Sequence, residues 1–401
     1  REQIEQKGPV PFATFMEWAL YHPEWGYYTG ERRKFGKEGD FFTSPGVNPV
    51  FAEVLADEIA GKWRDGFTVL EFGAGDGRLA RDLLSRWQGE APEVYAGVTY
   101  RITETSPNLR ALQRETLADH LEKVVWLSEE ELHAGAPYRG VVLTNELVDA
   151  FPVHRIIGQC PAKADQPTVA ELLESQRISD EAQEDEANDT ELLESQQISN
   201  GEREDQANVA EIYVTWDEDA GRFVERTGPP SDERIARYVS RYCPRLASGQ
   251  IAEVGLAGLD WYERALGLLA EGEFMTIDYG FEAEMMYHPS RRTGTLRGFH
   301  RHTLTTDPYL YIGEQDLTAD VNFTALRDIG ETRGWQTEFF GSQSKYLLQA
   351  GILQRLTDTM GRDPFHDPDQ KRNRAIRQMI MPGGMGDHFK VLVQHRPPSV
   401  L

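Results

Sequence analysis

The sequence predicts an α/β fold, and three observations carry the prediction. Strand-like runs at 67–72, 98–104, 123–127 and 140–144 alternate with helix-length segments. Such alternation builds a parallel sheet with helices on both faces. The first run enters a glycine turn, Val69 to Ala80, reading VLEFGAGDGRLA. The fourth ends in Thr144-Asn145-Glu146, with Asp149 three residues later.

The remaining elements follow in order. Residues 10–21 (VPFATFMEWALY) read as an amphipathic helix that stops before Pro23, and 49–63 as a second helix. After residue 144 the chain leaves the sheet. IYVTW and RFVERT, around Asp217 to Gly221, form a hairpin over 211–226. A helix at 258–270 leads into GEFMTIDYG, the fifth strand. Residues 281–320, rich in Gly, Pro, His and Arg, read as a long functional loop or cap. Late strands fall at 335–340 and 389–395.

Composition bounds the function. The chain has 401 residues, 39% of them hydrophobic, and a formal net charge of −24. An acidic chain of this kind is not expected to bind nucleic acid through a basic face. A basic partner or peptide segment is compatible with it, and so is plain solubility. No apolar run approaches the ~18–20 residues needed to span a bilayer, and no signal peptide is read. The two cysteines, Cys160 and Cys243, lack metal-site spacing and fit a reducing compartment. Residues 170–209 hold a tandem repeat, AELLESQRIS recurring as TELLESQQIS with a period of 20. The block carries 13 Asp and Glu against two Arg and reads as an acidic expansion in a surface loop, without a catalytic role.

The glycine turn carries the chemistry. Gly73, Gly75 and Gly77 let the backbone turn sharply and let a ligand approach without Cβ clashes. The helix that follows offers free N–H groups at its start. A structural turn would use the same glycines. The dinucleotide fingerprint is G-x-G-x-x-G, whereas here the order is E-x-G-x-G-x-G with Arg78 in the third glycine's place. The next strand-terminal acid, Glu104, lies 31 residues after Gly73. This arrangement resembles a class I methyltransferase that uses S-adenosylmethionine (AdoMet). Ligands of open α/β sheets sit outside the carboxyl ends of the strands, so Glu146 is expected to face the crevice of Glu71, the glycine turn and Glu104. A solvated helix cap made by Asn145 or Asp149 is the plainer reading of that stretch.

GPVPFATFMEWALYHPEWGYY, GDFFTSP, LEFGAGDG, ITETSPNLRALQ, NELVDAFPV, IDYG, GTLRGFHRH, GEQDLTADVNF and SQSKYLLQAGI occur here in one order. In that order they resemble the MidA-like family of AdoMet-dependent methyltransferases, from about Gly8 to about Val393. The family's mitochondrial members assist respiratory complex I assembly by dimethylating an arginine. The resemblance implies a Rossmann-like class I sheet with an N-terminal helical segment and an inserted cap. Residues 1–50 then fold over the cofactor, 51–157 form the AdoMet half, and 158–210 the acidic loop. Residues 211–255 form a hairpin and cap, 256–280 return to the sheet, 281–325 form the cap or substrate loop, and 326–401 complete the sheet.

The resemblance also implies site residues. Gly73, Ala74, Gly75 and Gly77 form the AdoMet turn with Glu71 at its base. Glu104, followed by Thr105, is the ribose acid, since an ionised carboxylate can accept from both ribose hydroxyls. Trp126 and Leu127 are placed at the adenine, and Thr43 and Ser44 in the segment Gly39 to Pro45 that closes over the cofactor. Asn145, Glu146 and Asp149 are the catalytic candidates. Three-residue spacing would put Glu146 and Asp149 on one face if a helix starts there. Two carboxylates suit the fork-shaped donors of a guanidinium. The chain departs from its relatives at Gly46-Val47-Asn48, where Glu-Ile-Ser is common, and at Asn322, where Asp is usual.

Asp278-Tyr279-Gly280 either lines the acceptor pocket or only ends the fifth strand. Arg297, His300 and His302 read as hydrogen-bonding residues, and no metal is expected. Gln343 is placed at a helix N-terminus. Trp18, Tyr21, Trp25, Tyr27 and Tyr28 read as core packing rather than a substrate cage. The function expected is an AdoMet-dependent protein arginine methyltransferase acting on an accessible arginine, in the cytoplasm or, in a eukaryote, the mitochondrial matrix. The alternatives are a small-molecule methyltransferase, a non-catalytic AdoMet-binding assembly factor and, more distantly, a nicotinamide oxidoreductase. Oligomeric state is not legible.

Overall fold

The computed structural model describes residues 1–30, 49–64, 66–159, 209–301, 303–361, 363 and 366–398. Thr43 and Ser44 with the rest of Gly39 to Pro45, the 46–48 departure, Cys160, the acidic repeat through residue 208 and His302 lie outside the described residues.

In chain order the strands are β1 (Val10–Pro11), β2 (Thr68–Phe72), β3 (Thr99–Thr103), β4 (Val124–Leu127), β5 (Tyr138–Asn145), β6 (His154–Gly158), β7 (Val209–Asp217) and β8 (Arg222–Gly228). They continue with β9 (Ile251–Val254), β10 (Leu269–Phe281), β11 (Arg297–His300), β12 (Thr303–Thr305), β13 (Asp316–Thr318), β14 (Val321–Asn322), β15 (Gln336–Ser342) and β16 (Phe389–Arg396). The chain divides into two compact units.

The larger unit comprises Met16–Pro152, Gly255–Met286 and Thr295–Leu401. Its main sheet runs β15-β16-β10-β5-β2-β3-β4, with β14 beside β10. Strands β4, β3, β2, β5 and β10 are mutually parallel, and β16 runs antiparallel between β10 and β15. From β2 the chain builds outward through β3 to β4, then crosses to β5 on the other side, which opens a crevice at the carboxyl ends of β2 and β5. Register brings those ends level: Phe72 pairs with Thr103 and with Thr144, and Asn145 with Ile277.

Strand periodicity sorts the cores. Val69, Val141, Leu143, Met275 and Ile277 join one apolar cluster, while Leu70, Phe72, Val142 and Phe274 join the other. On the first face Leu79, Ala80, Leu83, Leu84 and Trp87 form the buried stripe of the helix Arg78–Glu90. Trp87 is fully buried, and its indole N–H donates to the Ala56 carbonyl at 2.8 Å. That bond removes the penalty of a buried polar group, leaving the apolar burial, about 2–3 kcal/mol for a large side chain, as the gain. The second face is covered by the helices Leu256–Leu266, through Trp261 and Tyr262, and Phe323–Thr332, through Phe323 and Leu326.

Residues 281–325, expected as a loop or cap, carry regular elements among the described residues. They form a one-turn helix, Ala283–Met286, and a small antiparallel sheet β12-β11-β13. Asn322 caps the helix Phe323–Thr332 by accepting from the Ala325 N–H at 3.2 Å, so the usual Asp is replaced by an equally good cap. Gln343 opens the helix Gln343–Gln349, as expected.

The smaller unit comprises Arg1–Phe15, Val153–Val254 and Tyr287–Gly294. It is an antiparallel sheet, β1-β7-β6-β9 with β8 on β7. The helix read from residue 10 starts at Phe12, because Val10 and Pro11 pair with Val214 and Tyr213. Pro11 sits in the edge strand, where its missing N–H removes no ladder bond that a central strand would need. Buried Glu211 accepts from the Ser231 N–H and pairs with His154 at 2.7 Å.

Candidate active site

The glycine turn is built as its composition requires. Gly73, Gly75 and Gly77 have φ of 66°, 54° and 82°, in the left-handed region that glycine enters without a Cβ penalty. The Gly77 N–H closes the turn on the Ala74 carbonyl at 2.8 Å. A Cβ on Gly73 would stand 2.9 Å from the Leu147 Cδ1. Asp76 accepts from the Arg78 N–H at the start of the helix Arg78–Glu90.

Glu71, one residue before the end of β2, is buried and accepts the Tyr100 hydroxyl at 2.8 Å. Burial pushes its carboxyl up to about 7, against the Tyr100 hydrogen bond and with a small addition from Asp76. Glu104 follows β3, and its Oε1 accepts the Ser106 N–H at 2.8 Å. Its Oε2 accepts from the Gln113 Nε2 at 3.1 Å, and the same amide donates to the Gly75 carbonyl at 3.0 Å. Glu104 is therefore tied to the glycine turn rather than turned away from it. Trp126 donates to the Gln113 Oε1 at 2.9 Å, and the Arg114 guanidinium lies 4.4 Å from its ring centre. Leu127 faces the opposite apolar cluster from Trp126, and Thr105 is exposed. Gln113 was not singled out from the sequence. It is the buried residue of the helix Pro107–Thr116, and an amide on the inward face of a polar helix was the available signal.

At the end of β5, the Asn145 Nδ2 donates to the Glu146 Oε1 at 3.1 Å. The Asn145 Oδ1 is buried and accepts no hydrogen bond among the described residues. Glu146 has φ 54°, a left-handed conformation that costs a non-glycine residue about 1–2 kcal/mol. No helix carries Glu146 and Asp149 on one face, contrary to what their spacing suggests. The helical turn is a short 3-10 segment, Val148–Ala150, and Glu146 lies outside it.

Asp149 is buried beside Asp278 instead. The Asp278 Oδ2 accepts the N–H groups of Leu147 (3.1 Å), Val148 (2.7 Å) and Asp149 (3.4 Å), and its Oδ1 accepts that of Tyr279 (2.8 Å). Burial pushes the Asp149 carboxyl up to about 7; Arg297 pulls it down and Asp320 pushes it up. Asp278 is raised well above the usual carboxylate range by burial and by Asp149. Two such carboxyls side by side hold a proton between them near neutrality. Arg297 pairs with Asp320 and lies over the Tyr279 ring at 5.2 Å. Tyr21 and Tyr28, read as core, stack at 5.4 Å beside these acids: Tyr21 donates to the Ala150 carbonyl at 3.0 Å and Tyr28 to Asp316 at 2.8 Å. His300 stacks on Tyr311.

These residues fit AdoMet. The left-handed glycines hold the sharp turn that the crevice needs, Glu104 stands by it, and the Asn145 Oδ1 is a buried acceptor with no donor among the described residues.

Residues 52–341 match the family model described as "Putative S-adenosyl-L-methionine-dependent methyltransferase". The chain is 29% identical to a Drosophila melanogaster protein named protein arginine methyltransferase NDUFAF7 homolog, mitochondrial, over 83% of this chain and 69% of that protein. It is 25% identical to Homo sapiens protein arginine methyltransferase NDUFAF7, mitochondrial, over 96% of this chain and 80% of that one. Among solved structures, a candidate methyl transferase from Burkholderia thailandensis, bound to S-adenosyl-homocysteine, is 30% identical with a TM-score of 0.77. That match covers 99% of this chain and 90% of the other. Fold, crevice and matched residues agree: the chain belongs to the MidA-like family of S-adenosyl-L-methionine-dependent methyltransferases, with the class I fold.

Proposed function

We propose that the chain methylates the guanidinium of an arginine exposed on a protein. The observation that carries this reading is the acidic tip of β5 and β10, where Glu146, Asp149 and Asp278 gather beside the glycine turn. The arginine methyltransferases with which the chain shares a quarter or more of its residues support it.

Gly73, Ala74, Gly75 and Gly77 admit the cofactor, and Glu71 stands beneath them. Glu104, followed by Thr105, receives the ribose hydroxyls, and Trp126 lies toward the adenine; Leu127, on the opposite face of β4, is not part of the adenine wall. Bound AdoMet supplies an electrophilic methyl group on a sulfonium. The acceptor's guanidinium is gripped by Glu146, which localises its charge away from the attacking nitrogen and aligns it. Asn145 orients the Glu146 carboxylate. Methylation releases one proton from that nitrogen. Asp149, with its carboxyl near neutrality, is the group suited to take it. We place the reaction in the cytoplasm, or in the mitochondrial matrix of a eukaryote.

Incubation of the purified chain with methyl-labelled AdoMet and cell lysate tests the proposal. Label recovered as methylarginine after protein hydrolysis supports it. Label confined to extractable small molecules overturns it.

A further inference from the structure

Gln113 is a buried amide on the inward face of the helix Pro107–Thr116, whose N-terminus is capped by Ser106. A side-chain amide offers two N–H donors and one carbonyl acceptor, and desolvating them unpaired is costly. Here all three functions are used, each on a different element of the cofactor crevice. The Nε2 donates to the Gly75 carbonyl at 3.0 Å and to the Glu104 Oε2 at 3.1 Å, and the Oε1 accepts the Trp126 indole N–H at 2.9 Å. The contact is steric as well: a Cβ on Gly77 would lie 3.4 Å from the Gln113 Cα and Cγ.

We propose that Gln113 is the positioning residue of the AdoMet site. It fixes the distance between the glycine turn after β2, the acid after β3 and the indole of β4. Its partners belong to three separate strands: the turn after β2, the acid after β3 and a residue within β4. Gln113 couples them, so the turn and the ribose acid are preorganised before the cofactor arrives. A single amide can do this because its planar donors and acceptor point in opposed directions from one rigid group. The inference rests on the placement of AdoMet at Gly73 to Gly77 and Glu104.

Two substitutions and a control test it by calorimetric AdoMet binding and steady-state kinetics on the full chain. Gln113→Met keeps the volume and removes all three bonds; AdoMet Kd and KM are expected to rise about tenfold or more, with kcat at saturating AdoMet and acceptor KM little changed. Gln113→Glu keeps the acceptor for Trp126 but faces Glu104 with a second carboxyl. A proton shared between two adjacent carboxyls preserves the contact at low pH, and its loss leaves two anions together. AdoMet affinity of Gln113→Glu is therefore expected to fall about tenfold from about pH 5.5 to about pH 8.5, relative to the wild type. A purely structural amide would give no such pH dependence. The proposal is overturned if Gln113→Glu binds AdoMet like the wild type at both ends of that range while Glu104→Ala loses binding. If Glu104→Ala also binds normally, the placement of the cofactor fails and the proposal with it.

Discussion

Asp278 holds the backbone of Val148: its Oδ2 accepts the Val148 N–H at 2.7 Å, and the flanking N–H groups of Leu147 and Asp149 converge on the same oxygen. One buried carboxylate thus anchors the turn that presents Glu146 in its left-handed conformation. Such a conformation persists only where its surroundings impose it.

Removing that anchor is expected to loosen the turn. Asp278→Ala leaves buried N–H groups unpaired and is expected to cost about 3 kcal/mol, whereas Asp278→Asn, which keeps one carbonyl acceptor, costs less than about 1.5 kcal/mol. Urea unfolding of both variants measures the difference. Equal stabilities for the alanine variant and the wild type would show that the anchor is dispensable.

The charge of Glu146 is expected to matter for turnover and not for cofactor binding. Glu146→Gln keeps size and one acceptor but loses the ionic grip on a guanidinium, so kcat falls by about 100-fold or more while AdoMet Kd stays within about threefold. Turnover at the wild-type rate would remove Glu146 from the chemistry.

Asp149 sets a pH dependence. Its carboxyl is pushed up to about 7 by burial beside Asp278, so below that pH the pair is protonated and cannot take a proton from the acceptor. Turnover is expected to climb with pH through this region and level above it, and Asp149→Asn to be slow and to lack the step. A step that survives in Asp149→Asn would assign the titration to another group.

Glu71 is a stability cost in the cofactor-free protein. Its folded-state carboxyl is raised from the ordinary range to about 7 by burial. Between those values the native state binds the extra proton, so Glu71's contribution to stability falls as pH rises across the window and stays low above it. Glu71→Gln is expected to match the wild type near pH 4.5 and to exceed it by about 1–3 kcal/mol at pH 8. Denaturant titration at the two pH values checks the sign, and a variant less stable than the wild type at pH 8 would refute it.

Gly73 is expected to tolerate no side chain. Gly73→Ala meets Leu147 at 2.9 Å and takes φ 66°, a combined strain of about 1–3 kcal/mol. Loss of AdoMet binding in calorimetry, with the fold retained by circular dichroism, is the expected result; unchanged affinity would show that the turn adapts.

The parallel strands that flank the glycine turn were legible because period-two apolar runs and glycines act locally. Sheet strands read at 67–72 and 98–104 fall at Thr68–Phe72 and Thr99–Thr103. The conformation of Glu146 was not legible. Spacing alone suggests a helix there, and it is a carboxylate 132 residues further along the chain, on Asp278, that imposes the turn. Val10 and Pro11 were read into a helix for the same reason, since their strand pairing needs Val214 and Tyr213.

By itself the sequence determined the alternating α/β order, the glycine turn and the acids at strand ends, because each depends on neighbours within a few residues. Only the tertiary structure decided that Asp149 pairs with Asp278, that Glu146 takes a left-handed conformation outside the helical turn, and that Gln113 joins Gly75, Glu104 and Trp126. Those relations depend on desolvation and on hydrogen bonds between distant segments, and both arise only when the sheet brings its carboxyl ends level.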